Sequence, residues 1–256
     1  MKELSHGSGR GAETYLVVGG SSGLGRSLAE RFASAGHSLA LVSSDFRDTE
    51  AMASDLALRW GVAVAHVALD LAAPEPSLAA LDDALVGLPP LAGLLLPAGM
   101  NRAADAPGQA PDAFAALTNA NYSNICRIVD HYLPRLRLAP NGLIVGFGSI
   151  AATRGRTRNA AYSAAKRALQ SYFESLRHSL AGSNIRVQFY VVGYLDTNLA
   201  FGQRTALPRA SPQRLADCVY RRRNSDLGVL YYPAFWYPIC MMLRALPWPI
   251  FRRLSF

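Results

Sequence analysis

Residues 14–36 read "TYLVVGGSSGLGRSLAERFASAG". The opening run is apolar and β-branched and is closed by glycines, which predicts a buried strand over 14–20. From 23 onward apolar residues recur at helical spacing and stop at Gly36, which predicts a helix with a glycine cap. The junction holds Gly19, Ser21, Ser22, Gly23, Leu24 and Gly25. A strand that turns into a helix through such a loop brings backbone N–H groups and the positive end of the helix dipole to one point, as a pyrophosphate requires. The spacing is GxxxGxG, one residue wider than the GxGxxG dinucleotide fingerprint. A glycine-rich turn alone also fits a plain tight turn. Its place at the head of a strand–helix series favours nucleotide binding.

That series continues along the chain. Apolar runs at 37–44, 62–71, 91–99, 142–150 and 185–193 predict strands. Segments 48–61, 76–88 and 111–136, and one from about 157 to 180, predict the helices between them. Continuous apolar strands are what a parallel sheet shows when both of its faces are covered. The expected fold is therefore α/β: a single doubly wound Rossmann-type domain with a parallel sheet and helices on both faces, plus an apolar and basic C-terminal tail. The expected boundaries are a flexible N-terminus over 1–13, a nucleotide-binding catalytic domain over 14–226 and the tail over 227–256.

The totals narrow the function classes. The chain has 256 residues, half of them hydrophobic and only 17% charged, so it can bury a sizeable core. A net charge of +8 points to an anionic partner. Nucleic acid is not expected, because no basic helix with interleaved base-reading side chains occurs. Three widely spaced cysteines, Cys126, Cys218 and Cys240, argue against a disulfide framework and against a zinc site. With a polar, Gly-rich N-terminus that lacks a signal-peptide core, they suggest a cytoplasmic protein.

The second strand ends at Ser43 and Ser44, with Asp45 one step beyond and Arg47 close by. An acid there would hold a ribose 2′-hydroxyl, whereas hydroxyls and an arginine suit a 2′-phosphate. The balance sets NADP(H) slightly ahead of NAD(H). Asp70, closing the third strand, suits the adenine amino group or a loop cap equally. Ser149 ends the fifth strand, and "TRNAAYSAAKRAL" (157–169) places Tyr162 and Lys166 four apart on one helical face. Ligands in open parallel sheets sit beyond the carboxyl ends of the strands, which is where Ser149 stands. A phenol near pKa ~10 is a weak base at neutral pH, and an ammonium beside it is expected to lower that value. Tyr162 then serves as proton donor or acceptor to a carbonyl or alcohol oxygen that Ser149 also holds.

Taken in order, these motifs resemble the short-chain dehydrogenase/reductase family over about residues 14–200. The glycine loop, Asp70, the fourth-strand Ala98-Gly99, Asn121 in the long helix, Ser149 and the YxxxK pair all match. The resemblance implies an NAD(P)(H)-dependent oxidoreductase moving hydride between nicotinamide and a carbonyl or secondary alcohol. It assigns Asn121 a helix kink and a water in the proton relay to Lys166, and gives Lys166 and Tyr162 a share in cofactor binding. It places Gly193 and Thr197 of "GYLDT" near the nicotinamide, and implies a homodimer or homotetramer through the fourth and fifth inter-strand helices. Departures are Pro97 where the family often has Asn, Val192 where a Pro is usual, and Val18 for Thr. They keep a second reading open: a membrane-associated nucleotide-binding or scaffold protein with little or no catalysis.

Within the family, "GSIAATRGRTRNAAYSAAKRAL" is similar to a stretch of the bacterial decaprenylphosphoryl-2-keto-ribose reductase group, which reduces a keto-sugar on a polyprenyl phosphate. Arg154, Arg156 and Asn159 are the matching positions, and become candidate substrate contacts; a solvated loop explains the arginines equally well. The segment 227–243, "LGVLYYPAFWYPICMML", carries no charge, and Arg244, Arg252 and Arg253 follow. It is short and proline-broken for a membrane span. Aromatic rings beside arginines suit an anionic membrane surface, on the inner face of the membrane for a cytoplasmic protein. A tail packed on the domain or on a dimer partner is the alternative.

Overall fold

The computed structural model describes residues 13–102, 105–108, 111–196 and 208–254. Seven parallel strands lie in the order β3-β2-β1-β4-β5-β6-β7. They are β1 (Thr14–Val18), β2 (Ser38–Ser43), β3 (Val64–Ala68), β4 (Leu91–Leu96), β5 (Gly142–Ser149), β6 (Ile185–Val192) and β7 (Gly228–Tyr232). The order reverses between β1 and β4, so their carboxyl ends diverge and open a crevice there.

Alternate residues along each strand supply two cores. On one face Tyr15, Val17, Leu39 and Leu41 meet α1 (Gly23–Ala33), α2 (Phe46–Trp60) and α7 (Pro212–Arg222). On the other Leu16, Val18, Leu94 and Ile144 meet α3 (Ala79–Ala84), α5 (Asn124–Leu136) and α6 (Ala160–Ser179). α4 (Pro111–Thr118) leads into α5. Each wrap is a strand–helix–strand crossover, which keeps the strands parallel and their carboxyl ends on one side.

Three features differ from the expectation. The helix expected over 111–136 is divided by a π-helical turn at Asn119–Ser123. At that turn the Asn121 side chain takes the Leu117 carbonyl, which locally widens the helix. α7 follows β6, and its signal stands in the sequence: Ser211 caps it by accepting from the Arg214 N–H, and Pro212 occupies the first turn. The third difference is a correction. The segment from 227 is no separate tail, because β7 pairs with β6 from Gln188↔Gly228 to Val192↔Tyr232. Its apolar residues are what an edge strand packed on helices needs, and a chain ending at Asp226 would lose it.

After β7 come α8 (Trp236–Ala245) and α9 (Trp248–Phe251). Among the described residues no helix is long and apolar enough to cross a membrane.

Candidate active site

A cleft of about 800 Å³ opens along the carboxyl ends of the strands. Gly19, Ser21, Ser22, Gly23, Leu24 and Gly25 line one end; Ser43, Ser44, Asp70, Ala98 and Gly99 line its middle. Ser149, Arg156, Asn159, Tyr162, Lys166 and Gly193 line the other end. Thr197 lies outside the described residues.

The glycine loop is tight for steric reasons. Gly19 has φ +90°, and a Cβ there would lie 2.8 Å from the Ala98 Cα. A Cβ on Gly25 would stand 1.8 Å from the Gly19 carbonyl oxygen, so any side chain must push the loop apart. Ser22 is the N-cap of α1 but gives it no side-chain cap, and no acid stands in the first turn. The leading N–H groups of an eleven-residue helix therefore face the cleft uncapped by side chains. This donor set fits the pyrophosphate of a dinucleotide. Ser21 and Ser43 share a hydrogen bond of 2.8 Å between their hydroxyls, tying the loop to the end of β2. Asp45 is committed locally: its carboxylate accepts the Asp48 N–H at 3.0 Å and caps α2. Asp70 accepts the Ala72 N–H at 2.8 Å, the loop role weighed for it, while also lining the cleft.

At the other end the side chains are held by backbone. Lys166 is 4% exposed. Its Nζ donates to the carbonyls of Ala98 at 3.0 Å and Phe147 at 3.2 Å. Asn121 is fully buried. Its Nδ2 donates to the Met100 carbonyl at 2.8 Å, and its Oδ1 accepts the Met100 N–H at 3.1 Å. Gly99 sits between them: a Cβ there would be 3.2 Å from Asn121 Oδ1 and 3.3 Å from Lys166 Nζ. Both polar ends thus converge on one small space. Ser149 closes β5, accepts the Ala151 N–H at 3.1 Å and lines the same end of the cleft as Tyr162.

The electrostatics differ from the expectation in one respect. The Tyr162 phenol is raised, not lowered: burial dominates, and the Ser149 hydroxyl and the Arg156 charge only partly offset it. The Lys166 ammonium is itself pushed down to about 8 by burial. It faces carbonyls, so its charge is spent on them and gives the phenol little relief.

Asp105 went unnoticed in the sequence. It is 6% exposed, and its carboxylate accepts the N–H of Ala161 at 2.8 Å and of Tyr162 at 2.9 Å. It caps α6 in place of Asn159, which takes a left-handed conformation (φ 59°) and offers no side-chain cap. Asn124 ties α5 to the loop after β3 by donating to the Leu71 and Ala73 carbonyls at 2.9 and 2.8 Å. Asparagines on the apolar face of an otherwise amphipathic helix were the readable signal for Asn124; Asp105, in a loop, offered none.

Of the three candidate substrate contacts, Arg156 and Asn159 line the cleft and Arg154 does not. Arg154 is a correction. It donates to the Leu243 carbonyl at 3.1 Å and to that of Leu246, and its guanidinium lies 4.0 Å from the centre of the Phe251 ring. It holds the end of α8, whose unpaired carbonyls attract a cation. Trp236 backs Gly193 so closely that a Cβ on the glycine would meet the indole nitrogen at 2.0 Å.

A sequence profile described as short chain dehydrogenase matches residues 13–207, about three quarters of the chain. The chain belongs to the short-chain dehydrogenase/reductase family. It is 30% identical over 211 residues to an uncharacterised oxidoreductase of Myxococcus xanthus, covering 81% of this chain and 79% of that one. An uncharacterised oxidoreductase of Mycobacterium tuberculosis is 28% identical over 249 residues, 95% and 98% of the two chains. Among solved structures, a short-chain dehydrogenase from Sphingobium yanoikuyae in complex with NADPH superposes with a TM-score of 0.77 at 26% identity, covering 95% and 96% of the chains. This family member is an oxidoreductase of carbonyl and CH–OH groups that works with a nicotinamide cofactor.

Proposed function

We propose that the protein is a cytoplasmic NADPH-dependent carbonyl reductase in which Ser149, Tyr162, Lys166 and Asn121 carry the proton chemistry. The observation that carries this reading is that Ser149, at the end of β5, and Tyr162 line one end of the same cleft, with Lys166 buried one helical turn behind. A nicotinamide dinucleotide bound along the glycine loop supplies the hydride. Ser149 and Tyr162 hold the carbonyl oxygen that becomes the alcohol, and Tyr162 gives it a proton. A phenol raised by burial stays protonated across the neutral range, which suits an acid in the reductive direction. Lys166, together with a water held by Asn121, forms the route by which that proton is replaced, and the two side chains meet beside Gly99.

Preference for NADPH is supported by Ser43 and Ser44 at the end of β2 and by the engagement of Asp45 as a helix cap. The substrate proposed is an anionic carbonyl compound, a keto-sugar on a lipid phosphate being the specific candidate. Arg156 and Asn159 in the cleft support it, beside the resemblance of their segment. A homodimer or homotetramer through α5 and α6 follows from family resemblance.

Replacing Tyr162 by Phe is expected to lower kcat by about 10²–10⁴-fold, with NADPH affinity within about threefold in a fluorescence titration. Undiminished turnover in that variant overturns the assignment. NADPH binding without turnover on any carbonyl in the wild type would favour the non-catalytic reading.

A further inference from the structure

The segment after β7 has two faces. Trp236, Cys240 and Phe251 point inward and are 6%, 1% and 6% exposed. Tyr237, Met242, Trp248 and Ile250 are 55%, 58%, 63% and 53% exposed, with Phe235 and Leu254 beside them. Six of the twelve large apolar side chains exposed among the described residues therefore fall within 235–254. The others are scattered, as single surface apolars normally are. Arg244, Arg252 and Arg253 are exposed in the same stretch, and residues 227–256 contain no Asp or Glu.

We propose that the outer face of α8 and α9 docks on an anionic lipid surface, with Trp248, Ile250 and Met242 entering the interface and Arg244, Arg252 and Arg253 contacting headgroups. Charge selects this occupant. A second copy meeting the same face would set arginine against arginine with no acid in the segment to offset them. Lipid phosphates supply the missing anions, while aromatic and aliphatic side chains prefer the headgroup–acyl boundary. The helices lie on the surface and do not cross it, having ten and four residues.

The face is built in advance of docking. Arg154 holds the carbonyls of Leu243 and Leu246 and stacks on Phe251, and Thr153 donates to the Cys240 sulfur at 3.1 Å. A preformed face spends little binding energy on ordering. Its inner side backs Gly193 through Trp236, and Arg154 lies two residues from Arg156, so the docked surface adjoins the wall of the cleft. The proposal goes beyond the redox reading and does not depend on it.

The test uses the full chain with vesicles of phosphatidylglycerol and phosphatidylcholine, against vesicles of phosphatidylcholine alone, in a sedimentation assay. Binding to the anionic vesicles is expected to exceed binding to neutral ones by at least about tenfold and to weaken with salt. Each arginine near an anionic surface contributes about a fivefold factor. Arg252→Glu with Arg253→Glu should therefore weaken binding by about 25-fold or more, and Trp248→Ser with Ile250→Ser should also release the protein. Both variants should keep the wild-type circular dichroism and melting temperature, because the altered side chains are exposed. Equal binding to both vesicles, or to neither, overturns the proposal. So does conversion of an oligomer to a monomer by Trp248→Ser with Ile250→Ser while vesicle binding persists, since that face would then be a protein interface.

Discussion

The two ends of the cleft are built in opposite ways. At the catalytic end the polar groups are already engaged within the protein: Lys166 on two carbonyls, Asn121 on both polar atoms of Met100, Asp105 on the N–H groups of Ala161 and Tyr162. At the glycine-loop end α1 starts without a side-chain cap or an acid. One end is organised before any ligand arrives, and the other keeps its donors for a ligand to complete. Preorganised groups cost no rearrangement when charge moves, whereas free N–H groups gain most from an incoming anion.

The contrast predicts separable defects. The largest belongs to Gly25→Ala, where the new Cβ would stand 1.8 Å from the Gly19 oxygen. The loop must shift, and a displacement of that order costs about 10²-fold or more, read as loss of NADPH affinity in a fluorescence titration. Asp105→Ala should do the reverse. It frees the start of α6, so kcat should fall by about 10- to 100-fold and stability by about 1–3 kcal/mol in denaturant unfolding, while NADPH affinity stays within about threefold. If Asp105→Ala weakens NADPH binding as much as Gly25→Ala does, the two ends are one unit and the contrast fails.

The smallest effect is a pH dependence. Burial lowers Lys166 from 10.5 to about 8, so the folded protein releases this proton while the unfolded chain still holds it. Between these values the unfolded state binds more protons, and the contribution of Lys166 to stability rises with pH. The stability advantage of Lys166→Met over the wild type should therefore shrink by about 2 kcal/mol between pH 7.5 and 10. The Tyr162 phenol, raised by desolvation, acts in the opposite sense only above the ordinary phenol value of 10. A difference that does not change with pH would show that Lys166 is not desolvated.

Much of this was legible in the chain. The buried strands announce themselves as unbroken apolar runs because both sheet faces are covered. Gly19, Gly25, Ser149, Tyr162 and Lys166 stand at spacings set by local geometry. β7 was not legible, because a short edge strand ending in two tyrosines, with Pro233 next, reads like the aromatic segment after it. The role of Arg154 was hidden for a similar reason: its partners, Leu243 and Leu246, are about ninety residues away and offer backbone carbonyls, which every residue has.

The sequence by itself determined the strand–helix alternation, the glycine loop and the positions of Ser149, Tyr162 and Lys166, since these rest on periodicity and short-range sterics; Asn121 came from the family resemblance. Only the tertiary structure decided the strand order, the commitment of Asp105 to α6, the upward shift of Tyr162 and the placing of residues 228–254 against the cleft wall. The physical reason is common to all four. Burial and backbone hydrogen bonding depend on what distant segments bring to a site, and a linear pattern does not record its distant neighbours.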